Sequence, residues 1–191
     1  NKDEIVVYDN SDVISSCRCW YNLIYFGHDP KLVHVLDGGL KKWKKENKTT
    51  NNKKVITETS VYSCKENTEL VKNKKQIDEN IDKNDFNVID ARSRERFEGK
   101  VAEPRKGLRS GSIKNSFCLP FGELINDDHT FISKDKISEK FKSYNFDHAK
   151  NLVFSCGSGV TASVLALAYS LINDKYKPTI YDGSWSEYGK N

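Results

Sequence analysis

Asn151-Leu152-Val153-Phe154-Ser155-Cys156-Gly157-Ser158-Gly159-Val160-Thr161-Ala162 joins a run of strand character to a glycine-containing loop and the start of an apolar helix. Residues 151–155 read as a buried strand ending at Cys156, and residues from about Thr161 to Ile172 read as a helix. A strand feeding a helix through a short loop is the unit of a parallel α/β sheet, and such sheets bind ligands at the carboxyl ends of their strands. Physics favours an anionic sulfur there. Successive loop N–H groups can converge as an anion nest, and the helix N-terminus adds partial positive charge. The thiolate is the nucleophilic form of cysteine. Gly157 and Gly159 let the loop curl without a Cβ clash. Taken alone, Cys-Gly-x-Gly leaves two readings open: a nucleophile loop, or a buried cysteine before an ordinary strand-to-helix turn.

Beyond the helix, Pro178 to Tyr181 reads as a strand, and Asp182-Gly183-Ser184 opens a turn before Trp185. The front of the chain has the same order. Ile5 to Asp9 reads as a strand, Asn10 to Ser16 as a loop, and Trp20 to Phe26 as a helix that Gly27-His28-Asp29-Pro30 stops. Leu32 to Leu36 reads as a second strand, and Asp37-Gly38-Gly39 opens a turn before Leu40 and Trp43. This is an internal repeat with strands alternating with helices. The second copy is preceded by a strand at residues 87–90, an extended segment within Ile113 to Phe121 and a helix from Ile137 to Tyr144. The first copy has no such preceding part, so its front is expected to be missing or to lie on a separate piece. The fold expected is α/β, with a parallel sheet flanked by helices, as one complete domain plus the back half of a second. Residues 1–46 form that back half, the Lys/Asn-rich residues 47–60 a linker, and residues 61–191 the complete domain. Lys72 to Lys83 reads as a charged surface helix.

The 191 residues carry a net charge of +4 with 30% charged residues. The basic excess lies in Lys/Asn-rich stretches and reads as solvated surface. No aromatic-interleaved basic stripe supports nucleic-acid binding. No apolar run is long enough to span a bilayer and no signal-peptide pattern opens the chain, so a cytoplasmic protein is expected, with the mitochondrion as the alternative. Five cysteines are an odd number and suggest no secreted disulfide scaffold. Cys17-x-Cys19 is not a zinc spacing, and no metal or cofactor is expected. Cys118 lies in an apolar stretch and reads as a buried structural thiol.

A second motif, Asp90-Ala91-Arg92-Ser93-Arg94-Glu95-Arg96-Phe97-Glu98-Gly99, continues to Glu103-Pro104-Arg105. It follows a strand end on the same edge of the sheet, where arginines can fork onto a carboxylate or oxyanion. Arg92 and Arg94 read as surface salt bridges. Arg96 and Arg105, combined with the cysteine loop, read as anion-holding residues.

In order, Asp90 to Arg105, Pro120-Phe121, Cys156 to Ala162 and Tyr181-Asp182-Gly183-Ser184-Trp185 resemble the C-terminal domain of the tandem rhodaneses. Residues 5–43 resemble the back half of their non-catalytic N-terminal domain, with Asp9 in the nucleophile's place. Within the family, thiosulfate-preferring members carry basic residues directly after the cysteine, whereas 3-mercaptopyruvate sulfurtransferases carry Cys-Gly-Ser-Gly-Val-Thr-Ala. This chain matches the second pattern. The resemblance implies a Cys156 persulfide, with Cys156 and Ser158 catalytic and Arg96, Arg105, Gly157, Gly159, Val160 and Thr161 binding substrate. It implies a small-molecule sulfur donor and thioredoxin or another thiol as acceptor, with no membrane partner. Thiosulfate:cyanide sulfurtransfer and a persulfide relay for tRNA thiolation are the alternatives. Where the family usually has Gly-His-Ile, this chain reads Gly111-Ser112-Ile113, at a position read as structural. The family's Asp/His partners of the loop serine lie in the front of the first domain, so no such triad is assigned. Some phosphatases share the fold but need an arginine at the end of a longer loop. Here Ala162 and Ser163 stand in that region, and a phosphoryl group is poorly served.

Overall fold

The computed structural model describes residues 2–190. In chain order the elements are β1 (Ile5–Val7), α1 (Ser16–Tyr25), β2 (Val33–Val35), α2 (Gly39–Lys45), β3 (Val71–Lys72), α3 (Lys74–Lys83), β4 (Phe86–Asp90), α4 (Arg94–Phe97), β5 (Phe117–Cys118), α5 (Lys134–Lys142), β6 (Asn151–Ser155), α6 (Val160–Ser170), β7 (Ile180–Tyr181) and α7 (Ser184–Tyr188). Five strands form one parallel sheet in the order β3-β7-β6-β4-β5. Its centre is the β4–β6 pair, in register from Phe86 opposite Asn151 to Asp90 opposite Ser155. That register brings the ends of the cysteine strand and the arginine strand to one edge. β1 and β2 form a separate parallel pair with α1 as the crossover. The repeat is therefore structural: β1-α1-β2-α2 and β6-α6-β7-α7 are two copies of one strand-helix-strand-helix unit.

Burial explains the central strands and α6. β6 reads Leu-Val-Phe-Ser inside the sheet with all four side chains buried, as a two-sided parallel strand requires. α6 is apolar nearly all round because both of its sides are covered, one by the sheet and the other by α1. Trp20, Tyr21 and Ile24 of α1 share a core with Leu165, Ala166 and Phe154, and Cys17 and Ile14 pack on Val164. The two lobes thus have a common core. Burial of each such large side chain contributes about 1.5–3 kcal/mol. The Tyr21 hydroxyl donates to the Leu70 carbonyl at 2.5 Å, tying α1 to the segment that enters β3.

α1 begins at Ser16, four residues before the expected start at Trp20. The reason is long-range. The Asp9 carboxylate accepts from the Ser16 N–H at 2.7 Å and from the hydroxyls of Ser11 and Ser15 at 3.0 and 2.9 Å, so the helix is nucleated by a residue outside it. α5 likewise starts earlier than expected, at Lys134, where the Ser133 hydroxyl caps it by accepting from the Lys136 N–H. α3 carries a complete capping box between Asn73 and Gln76. Residues 48–67 have neither helix nor strand. Their far end runs back along α1, where the Lys65 and Asn67 N–H groups donate to the Phe26 and Tyr25 carbonyls, and Tyr62 stacks on His28.

Candidate active site

Cys156 follows the last residue of β6, and four contacts fix the loop behind it. Its N–H donates to the Ser184 hydroxyl at 3.2 Å, which donates in turn to the Tyr181 carbonyl at 2.9 Å. The Trp185 and Ser186 N–H groups donate to the Cys156 and Gly157 carbonyls, both at 2.9 Å. The start of α7 therefore holds the outer side of the loop, and the loop's own amides turn inward. The Ser158 and Gly159 N–H groups donate to Cys156 Sγ at 3.4 and 3.1 Å. Gly159 caps α6 with φ of 81°, a left-handed conformation that favours glycine. A Cβ there would also lie 2.6 Å from Arg18 Nη1 and 2.9 Å from Asp182 Oδ1.

Cys156 is only 2% exposed, yet it is not sealed. It lies against a cavity of about 280 Å³ lined by Val13, Arg96, Glu103, Pro104, Arg105, Leu108, Cys156, Gly157, Ser158, Val160 and Thr161. Of the residues expected at the site, Cys156, Ser158, Arg96, Arg105, Gly157, Val160 and Thr161 all line it. Gly159 does not, and enters instead through its N–H to sulfur. Arg105 Nη1 reaches the Gly157 carbonyl at 3.5 Å. Arg96 Nη2 stands 3.1 Å from where a Cβ on Gly157 would be, so a side chain at that position would press on the arginine.

Arg96 is held by Glu103, with Nε donating at 3.1 Å and Nη2 at 2.6 Å. Glu103 also accepts from Arg92 Nη1 at 2.7 Å. Arg92 was expected on the surface, and the structure corrects this: it is buried. Its other nitrogens donate to Asp90 at 2.7–3.1 Å and to the Gly111 carbonyl at 2.8 Å, and its guanidinium lies 4.4 Å from the Trp185 ring centroid. A buried guanidinium is tolerable only with such compensation. Burial opposes ionisation of Glu103, but Arg96 and Arg92 outweigh it and hold the carboxyl below the usual carboxylate range. Arg94 does form the expected exposed ion pair, to Glu123 at 2.5 Å.

The sequence reading missed three contributors. Val13 and Arg18 come from the first lobe, and Arg18 Nη1 pairs with Asp182 at 2.5 Å and reaches the Gly159 carbonyl at 3.5 Å. Glu103 was visible only as part of Glu-Pro-Arg. The Asp182-Gly183 turn was legible through the repeat, but its partner Arg18 carried no signal.

The remaining thiols differ in kind. Burial pushes the Cys118 thiol up to about 12, and burial followed by the nearby Asp9 and Asp37 charges raises Cys17 as well. A raised folded-state value means the neutral, unreactive thiol persists at pH 8. Iodoacetamide at pH 8 is expected to label Cys156, Cys19 and Cys64 and to spare Cys17 and Cys118 until the chain unfolds. Peptide mapping of native and denatured protein checks this.

A family profile described as a Rhodanese-like domain matches residues 1–46 and 73–191. The chain is 37% identical over 186 residues to 3-mercaptopyruvate sulfurtransferase of Mus musculus, covering 96% of this chain and 62% of that protein. It is 34% identical over 209 residues to mitochondrial thiosulfate/3-mercaptopyruvate sulfurtransferase 1 of Arabidopsis thaliana, covering 98% and 54%. Its fold superimposes on SseA from Escherichia coli, a structure described in terms of the rhodanese fold and 3-mercaptopyruvate sulfotransferases, with a TM-score of 0.80 and 31% identity, covering 95% and 66%. The chain thus spans about half to three fifths of the length of these curated relatives.

Proposed function

Because this chain belongs to the rhodanese family, we propose that it transfers sulfur from 3-mercaptopyruvate through a persulfide on Cys156, with residues 61–191 as the catalytic unit and residues 1–46 as the non-catalytic one. The observation that carries this reading is Cys156 Sγ. It accepts two loop N–H bonds beside a cavity that Arg96 and Arg105 flank.

In the first half-reaction Cys156 thiolate attacks the donor sulfur. The new S–S bond forms as the donor C–S bond breaks, and the electron pair leaves with the three-carbon fragment as the enolate of pyruvate, which takes up a proton. Ser158 assists that protonation. Arg96 and Arg105 hold the donor carboxylate by charge-assisted bonds, and Gly157, Val160 and Thr161 shape the wall beside it. The Ser158 and Gly159 amides stabilise the sulfur anion before and after transfer. A thiol such as that of thioredoxin then takes the outer sulfur and regenerates Cys156.

Thiosulfate is the second donor, supported by the Arabidopsis relative, whose name includes both. Against it as the preferred donor stands the uncharged Gly157-Ser158 pair, which adds no cation for a dianion. A cytoplasmic setting fits the five free thiols, and the mitochondrion, named for one relative, is the alternative. Among the described residues no helix is long and apolar enough to cross a membrane.

Side-by-side turnover tests the reading. Pyruvate release from 3-mercaptopyruvate with a reduced thiol acceptor is expected to exceed thiocyanate formation from thiosulfate and cyanide, by about ten-fold or more in kcat/KM. Faster turnover on thiosulfate would reverse the assignment.

A further inference from the structure

Glu103 is the one acid among the described residues that line this cavity, and the sulfur chemistry described above does not use it. Its side chain is only 2% exposed, and both carboxylate oxygens are engaged. Oε1 accepts from Arg92 and Arg96, and Oε2 from Arg96 alone. Two of the three guanidinium nitrogens of Arg96 are thereby committed to Glu103, leaving Nη1 as the nitrogen not engaged by it.

The charge balance follows from these contacts. The cavity wall holds two cations, Arg96 and Arg105, and one anion, Glu103. Behind it, Arg92 is matched by Asp90. One positive charge remains on the wall. Glu103 thus offsets part of the attraction that the two arginines offer, and it does so twice as strongly for a dianion as for a donor bearing one carboxylate.

We propose that Glu103 determines donor specificity: its charge, locked against Arg96, sets the cavity to accept a singly charged carboxylate donor over a doubly charged one. This rests on the sulfurtransferase reading above. Glu103 reaches the reaction through Arg96 and the local field, so it is a positioning residue.

The test is the rate of Cys156 persulfide formation in a single turnover, measured with thiosulfate and with 3-mercaptopyruvate. Glu103→Gln removes the charge and nearly preserves shape. Glu103→Asp also disturbs the Arg96 fork but keeps the charge, so it separates a geometric loss from the charge effect. The thiosulfate to mercaptopyruvate ratio is expected to rise about ten-fold in Glu103→Gln. Glu103→Asp keeps the charge but shortens the reach, and should slow both donors while holding the ratio within about two-fold of wild type. An unchanged ratio in Glu103→Gln, or an equal shift in Glu103→Asp, would overturn the proposal. Should Glu103→Gln not fold, a ten-fold shift in Glu103→Asp alone would do so. Wild-type protein that takes sulfur from neither donor would instead overturn the sulfur-transfer reading itself.

Discussion

Replacing Cys156 by serine is expected to lower sulfur transfer by at least about three orders of magnitude while leaving the fold intact. The asymmetry follows from geometry. The contacts that shape the loop are backbone groups: the Cys156 N–H and carbonyl bind Ser184 and Trp185, and the Gly157 carbonyl binds Ser186. None depends on sulfur. The two inward amides would donate to a hydroxyl oxygen in place of Sγ, but an alcohol neither ionises near neutral pH nor carries a transferred sulfur. Steady-state pyruvate release and a thermal melt on the same sample check both halves. Residual turnover above about one per cent would mean that another group carries sulfur.

Arg92→Met is expected to give the largest loss of stability, about 3–5 kcal/mol, because it leaves Asp90 and Glu103 as buried carboxylates without their shared cation. Methionine roughly keeps the volume against Trp185, so the loss is chiefly electrostatic. The sign of its pH dependence is fixed. In the wild type, Glu103 is held below its ordinary value, so its contribution is present above the unfolded carboxylate value and fades as pH falls through the folded one. Without Arg92, Glu103 keeps its two bonds from Arg96 but loses the Arg92 share of that lowering, so the variant lacks stability that is present at pH 7 and fades as pH falls. The gap between variant and wild type should therefore widen from pH 4 to pH 7. Urea melts at both pH values measure it. A gap that narrowed would mean that packing rather than charge dominates.

The strand-loop-helix at residues 151–162 was legible because everything it needs is local: an apolar run, two glycines and an apolar helix. The repeat was legible because the Asp-Gly turn and the tryptophan recur at matching places. Features set by distant partners were not. α1 starts at Ser16 because Asp9 caps it across a loop. Arg92 is buried because Glu103, the Gly111 carbonyl and Trp185 converge on it, and no spacing rule places those three together. Arg18 reaches the cysteine loop only because α1 packs on α6. Seven of the residues expected at the site line the cavity, but the ion network that orients Arg96 needed the fold.

Sulfur transfer by this chain requires that Cys156 accept a sulfur atom and hold it against two loop amides. Mass spectrometry of folded protein, treated with 3-mercaptopyruvate and then digested without reductant, tests it most directly. One added sulfur is expected on the peptide containing Cys156, released by a thiol, and none at Cys17 or Cys118. An unmodified Cys156 in protein shown to be folded, or sulfur added equally at the exposed Cys19 and Cys64, would contradict it.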